Sequence, residues 1–401
     1  MEKAPRETSV SRRVFLRKGM TCTASLTSLL GSHPLVGLGL PFSAHSALSP
    51  RPSNQGTARV AIVPCKTYGP EIQMSLTRCL DLLGGIRQMV RGKTVTVKVN
   101  LTLEGRRFYP MFGHAAGETY QTHFATVVAL TSILLKEGAK RVRIVDSLRF
   151  REPIEEVLAS GGWHVKSLLS LGPVELENTR NLGLGKKYSV LPVKGGGYLF
   201  SSFSLNHAYE DTDVLISLAK LKEHDGAGVT MSLKNLFGIT PNTLYGKDAS
   251  GENDIGGRVP LHGWRNCGPR ALPGEKVNRF SPGWKMGIPH IIADLAAARP
   301  IDLAIVDGIT SIAGGEGFWA LEQMSFTKPG VLIAGLNPVS TDAVGAAVMG
   351  FPDPRARRGT APFERCENHI LLAEQAGVGT ADLGHIDLRG MTIEEAYYPY
   401  A

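Results

Sequence analysis

Residues 219–238 read AKLKEHDGAGVTMSLKNLFG. An apolar strand that ends in Lys220, Lys222 and His224, passes through Gly226 and Gly228, and opens a helix carrying Lys234 and Asn235 is built to face negative charge. Glycine lets the backbone approach a ligand closely, and the unpaired N–H groups and positive dipole end of a helix favour an anion. The pattern predicts a helix over 229–237. A carboxylate or phosphate is expected at its start, with Lys222 and His224 on the approach.

Other strand-like runs end in polar residues of the same kind. The run 94–101 (TVTVKVNL) carries Lys98 and Asn100, which share one face because side chains alternate along a strand. Asp146 and Ser147 end 141–147, Asp307 and Gly308 end 302–309, and Asn337 ends 330–337. Ligands of open parallel sheets bind at the carboxyl ends of the strands, so these residues are expected to gather there. The turn 311–319, SIAGGEGFW, would bring Glu316 to the same edge as a general base or metal ligand. The resulting assignment gives Lys98, Asn100, Lys220, Lys222, Lys234 and Asn235 to substrate binding. Glu316, Asp307 and His224 take acid–base or metal-binding roles.

A structural reading stands beside this one. It places Lys98 and Lys220 at sheet edges or in ion pairs with Asp146 or Asp213, since ion-pair networks are common. Asp342 reads as a dipole partner in the first turn of its own helix. No Walker loop and no dinucleotide fingerprint is present, and none of the cysteines forms a CxxC pair, so neither a nucleotide nor an iron–sulfur cluster is signalled. His114, His123, His207 and His224 lack metal-ligand spacing. The cofactor is left unknown, with a divalent metal open.

The elements that must position these groups follow from periodicity. Apolar β-branched runs at 58–65, 94–101, 141–147, 213–220, 302–309 and 330–337 read as buried strands. Helical patterns occupy about 72–90, 121–137, 153–160, 229–237, 288–298 and 340–349. This alternation predicts an α/β fold, a mostly parallel open sheet with helices on both faces. The segment 174–205, with its KGGG turn, reads as a small hairpin or meander insertion. Two long connections, 102–120 and 239–287, carry Arg106, Arg107, Tyr109, His114, His262, Trp264, Arg265 and Trp284 and read as lids rather than disorder.

The N-terminus carries SRRVFLRKG before a mildly apolar stretch and a small-residue cleavage site near Ala44–Ala47, the pattern of a twin-arginine export signal over 1–47. A linker follows at 48–57. Residues 1–47 hold six Lys/Arg and two Asp/Glu, so the formal net charge of +8 falls to +4 without them. That balance gives no whole-surface case for nucleic acid, and the mature part has no membrane span. Any anion site is therefore local. At about 354 residues the mature part is expected to form two lobes. Cys65, Cys79, Cys267 and Cys366 read as buried thiols, with disulfides left open.

KLKEH followed by GVTMSLKNLFG, VKVNL, IVDGI before a glycine-rich turn, and NPVSTDAVGAAVMGF followed by AEQAGVGTADLGHIDLRG together resemble the domain of unknown function 362 family over about 58–390, leaving 391–401 as a tail. The resemblance implies an α/β domain of unassigned chemistry, in many members fused to a ferredoxin-like module. The ferredoxin cysteines are absent here. The family's K-x-K-T-H reads K-L-K-E-H, with Glu223 in place of Thr, and Phe318 stands where a Pro is common. The expected function is an exported enzyme acting on a small anionic substrate, a carboxylate or phosphate, in the periplasm or cell envelope. The expected partners are that ligand and, during export, the twin-arginine translocase. The alternatives are a periplasmic anion-binding module without catalysis, and an envelope interaction protein docking through the 239–287 loop.

Overall fold

The β-branched runs form strands within a residue or two of where alternation places them. In this computed structural model the described residues are 58–103, 106–247, 249–262, 271–276, 287–319 and 324–400. The predicted signal and linker lie outside them, as do Trp264, Arg265, Cys267 and Trp284. The strands are β1 Ala58–Pro64, β2 Thr94–Val99, β3 Arg141–Asp146, β4 Val174–Asn178, β5 Tyr188–Pro192, β6 Ser202–Asn206 and β7 Val214–Lys220. They continue with β8 Glu223–His224, β9 Gly228–Val229, β10 Leu303–Gly308, β11 Ser311–Ala313, β12 Ser325–Thr327, β13 Val331–Gly335 and β14 Ile386–Gly390.

Eight of them make one sheet in the order β14-β1-β13-β10-β7-β2-β3-β4. Seven run the same way; β13 alone is antiparallel, to β1 on one side and β10 on the other. Parallel strands need a long crossover, usually a helix, whereas among the described residues β10 and β13 are linked through the β11–β12 hairpin, which returns the chain. Val331 is therefore paired with Gly308 and Gly335 with Ala304. Asn337 consequently lies at the edge opposite Asp307, not beside it as expected. It caps the helix Pro338–Val348, its Oδ1 accepting from Ser340 N at 3.0 Å.

The segment 174–205 divides between two roles. Its first strand, β4, extends the parallel sheet, and β5–β6 form the antiparallel hairpin. The α/β class and mostly parallel sheet are as expected, with small hairpins added to them. The helix expected over 72–90 is split into Glu71–Leu82 and Arg87–Val90. Gly84 and Gly85, at φ +102° and +79°, adopt a conformation that ends a helix.

Period-two alternation sorts the core into two layers. Val95, Val97 and Val99 with Ile216 and Leu218 pack under Leu76 and Leu80 of the helix Glu71–Leu82 and Leu130 and Leu134 of the helix Phe124–Lys136. On the other face Ile62, Leu215, Val306 and Ile333 meet Ile291 and Leu295 of the helix Ile288–Ala298 and Val344 of Pro338–Val348. Cys65, Cys79 and Cys366 are buried thiols. Among the described residues no helix is long and apolar enough to cross a membrane.

Candidate anion site

A cavity of about 530 Å³ opens at the carboxyl edge of the sheet, where the ends of β2 and β3 meet the segments 222–238, 257–262 and 316–319. Lys98, Asn100, Lys222, His224, Lys234, Asn235 and Glu316 line it. Lys220 and Asp307, the other two residues assigned from sequence, do not.

Its floor is a saturated network. Lys98 Nζ lies 2.8 Å from Asp146 Oδ1 and donates to Asn235 Oδ1 at 3.0 Å and Val99 O at 2.6 Å. Asp146 also accepts from the main-chain N–H groups of Ser147 and Leu101, each at 2.8 Å. Asn235 Nδ2 donates to Lys98 O and Ser217 Oγ, both at 3.0 Å. Burial pushes the Lys98 ammonium below its ordinary range, and Asp146 opposes that shift. Lys98 is therefore committed to an ion pair, as the structural reading has it, and shapes the floor. Asn100 Nδ2 reaches Asn235 Oδ1 at 3.4 Å, and its own Oδ1 is buried with no hydrogen-bond partner among the described residues.

The walls carry the available charge. Lys222 is buried, and its Nζ donates to the main-chain oxygen of Glu316 at 2.6 Å; burial pushes it down to about 7. Lys234 is half-buried, with Nζ 4.7 Å from the centre of the Phe237 ring and no hydrogen bond or ion pair among the described residues. Burial pushes it down to about 8. Glu316 is aimed by two donors, Asp225 N onto Oε2 at 2.9 Å and Trp319 Nε1 onto Oε1 at 3.1 Å. His224 Nδ1 accepts from Gly226 N at 3.0 Å, which leaves the proton of a neutral ring on Nε2. Five Lys/Arg and two carboxylates line the cavity, an excess of positive charge.

Two expectations about this stretch are corrected. The helix is shorter than 229–237, running Met231–Asn235 before a 3₁₀ turn at Leu236–Ile239, and its start is not open to a ligand. Asp342 occupies it: Oδ1 accepts from Ser232 N at 2.9 Å and Oδ2 from Leu233 N at 2.8 Å. Asp342 thus caps a neighbouring helix rather than serving its own. Nor does Gly228 face a ligand; a Cβ there would lie 2.5 Å from the Phe363 ring.

Lys220 and Asp307 sit on the other face of the sheet, and alternation is the reason. They are paired in register across β7 and β10, on the side covered by the helix Phe124–Lys136. Lys220 Nζ lies 3.5 Å from Asp307 Oδ2 and 2.6 Å from Tyr68 Oη, which donates to Asp307 Oδ1 at 3.0 Å. Thr126 Oγ1 completes the cluster at 3.1 Å. Lys220 pairs with Asp307 rather than Asp213, and Asp307 is separated from Glu316. Among the described residues no group of three or more His, Cys, Asp or Glu could hold a metal ion.

Sequence reasoning missed Arg258, which joins the wall by donating Nε to Thr240 O at 2.7 Å and Nη2 to Ser147 O at 3.0 Å. An arginine after two glycines in a long connection was the available signal. His262, from the same connection, lines the cavity with its ring edge-on to Phe237. The 102–120 connection lends Thr102 and Leu103 to the cavity and otherwise packs against the glycine-rich turn and β12, with His114 stacked on Phe326 and the Tyr109 ring tilted against Phe318. Glu223, the departure from the family motif, accepts from Gly314 N and ties the strand end to the glycine-rich turn.

A family model described as a domain of unknown function (DUF362) matches residues 95–347, from β2 into the helix Pro338–Val348. A thylakoid-associated protein, sll1697, of Synechocystis sp. (strain ATCC 27184 / PCC 6803 / Kazusa) is 27% identical over 246 residues. That similarity covers 60% of this chain and 59% of the relative, less than two thirds of its length. The family match takes in more than half of the chain and every one of the nine residues singled out from sequence, and on that ground the chain belongs to the DUF362 family.

Proposed function

We propose that the chain is an exported enzyme that binds a small organic anion, a carboxylate or phosphate, in the cavity and moves a proton on it. The observation that carries this reading is that Lys222 and Lys234, neither in an ion pair among the described residues, open on the same space as the fixed carboxylate of Glu316. At about 530 Å³ the cavity is in the range that holds whole organic ligands, so the anionic group is one end of a larger molecule. Leu101, Leu103 and Leu148 give its body an apolar lining. Lys234 holds the anionic group, Asn100 Oδ1 accepts from a donor on the substrate, and Glu316 and His224 carry the acid–base work. Export rests on Arg12 and Arg13 of the N-terminal motif.

Thermal melts and calorimetry against a panel of carboxylates, phosphate monoesters and their neutral analogues test the reading. A subset of anions should stabilise the protein by mass action, and Lys234→Met should weaken their binding about tenfold or more, as expected for a charge-assisted contact. Equal melts across the whole panel would sink it. For a bound compound that is turned over, Glu316→Gln should keep affinity and lose turnover; a ligand held tightly and never altered would make the protein a binding module.

A further inference from the structure

Three lysines are fully buried at this edge of the sheet, and they differ in what surrounds the nitrogen. Lys98 has three acceptors, one a carboxylate, and Lys220 has Asp307 and Tyr68. Lys222 has one, the neutral main-chain oxygen of Glu316, and no carboxylate within ion-pair distance among the described residues. Its other near neighbour is the Tyr120 ring, 5.9 Å away, and a neutral amine there uses one N–H on the carbonyl and keeps a lone pair toward the cavity. A desolvated lysine in a pocket is the form of that side chain that serves as a nucleophile toward carbonyls.

Resting on the anion-site reading above, we propose that Lys222 is a catalytic residue that forms an imine with the carbonyl carbon of an oxo acid whose carboxylate is held by Lys234. Lys234 is suited to the binding role because it is only half-buried, lines the cavity, and has no hydrogen bond or ion pair among the described residues. The Lys222 lone pair attacks the carbonyl carbon to give a carbinolamine. The former carbonyl oxygen then leaves as water with the two amine hydrogens, and the C=N bond remains. Glu316 is placed to shuttle the protons of that dehydration, since its carboxylate lines the same cavity and its main-chain oxygen already holds the amine. Protonated, the imine draws electrons from the adjacent carbon, which is the use such an adduct has in catalysis. Burial, which lowers the Lys222 ammonium to about 7, supports the same assignment.

Trapping tests it in the wild-type protein. The full mature chain is incubated with pyruvate, 2-oxoglutarate or phenylpyruvate and cyanoborohydride, with lactate as the control that lacks a carbonyl. Cyanoborohydride supplies the hydride to the imine carbon, so an intact-mass gain equal to the probe less one oxygen is expected. Peptide mapping should place it on Lys222, at least tenfold ahead of any surface lysine, and Lys222→Arg should abolish it. If that variant does not fold, the wild-type map decides alone. An oxo acid that stabilises the protein but leaves Lys222 unmodified overturns the imine and spares the anion site. Labelling spread over surface lysines overturns it equally, and absence of stabilisation by any anion removes both readings.

Discussion

Lys98 Nζ and Asp146 Oδ1 meet at 2.8 Å directly beneath Gly238, where a Cβ would stand 2.8 Å from the lysine nitrogen and 3.1 Å from the carboxylate oxygen. The glycine of NLFG is thus required by a buried ion pair and not by a ligand. Breaking such a pair by removing one side leaves an uncompensated buried charge, which costs about 3–5 kcal/mol. Asp146→Ala should therefore lower stability by that order, and Gly238→Ala by about 1–3 kcal/mol through overpacking. Urea denaturation reads both, and unchanged midpoints would mean that the pair does not hold the floor.

The cap on the helix Met231–Asn235 makes a second prediction. Asp342→Ala strips acceptors from two buried N–H groups, each costing about 1–3 kcal/mol when unpaired. Burial raises the Asp342 carboxyl from its ordinary 3.8 to about 7, so the folded chain keeps a proton that the unfolded chain releases in that window. Its contribution is fully present below 3.8 and is lost as pH rises toward 7. The stability of the wild type measured against Asp342→Asn should fall over that range, and a flat difference would contradict the assignment.

Anion binding should depend on pH with the opposite groups in control. Lys222 is lowered to about 7 and Lys234 to about 8, chiefly by burial; Glu316 opposes both shifts, while Arg258 and Lys98 add to that of Lys234. A bound anion favours the ammonium form of Lys234, so binding takes up protons and affinity falls as pH rises past about 8. Calorimetry in buffers of different ionisation enthalpy should detect the uptake. Constant affinity across that range would place the anion away from Lys234.

Export makes the fourth prediction. Changing Arg12 and Arg13 together to Lys should leave the full-length precursor in the cytoplasm, since the paired guanidinium groups are what distinguishes this signal from an ordinary one. Fractionation with an antibody against the mature part reads the outcome; processed protein in the envelope of that variant would remove the localisation.

Six of the eight strands of the sheet were legible in the sequence, because β-branched runs bounded by turn residues have one stable use in a large buried sheet; β4, read as part of a hairpin, and the half-exposed β14 were not. The sequence also pointed to Lys98, Asn100, Lys222, His224, Lys234, Asn235 and Glu316, since residues at and just beyond parallel strand ends are carried to one edge whatever the rest of the chain does. Period-two alternation says that Lys220 and its neighbours take turns between faces, but not which face is covered by which helix. Only the packed sheet placed Lys220 and Asp307 under the helix Phe124–Lys136 and away from Glu316. The direction of β13 was likewise decided by the return of the chain through the β11–β12 hairpin after β10, which moved Asn337 to the far edge. Asp342 shows the same limit: its helix is plain in the sequence, yet the amides it caps lie 110 residues earlier and become neighbours only when two helices pack, because a buried carboxylate takes whatever donors the fold brings to it.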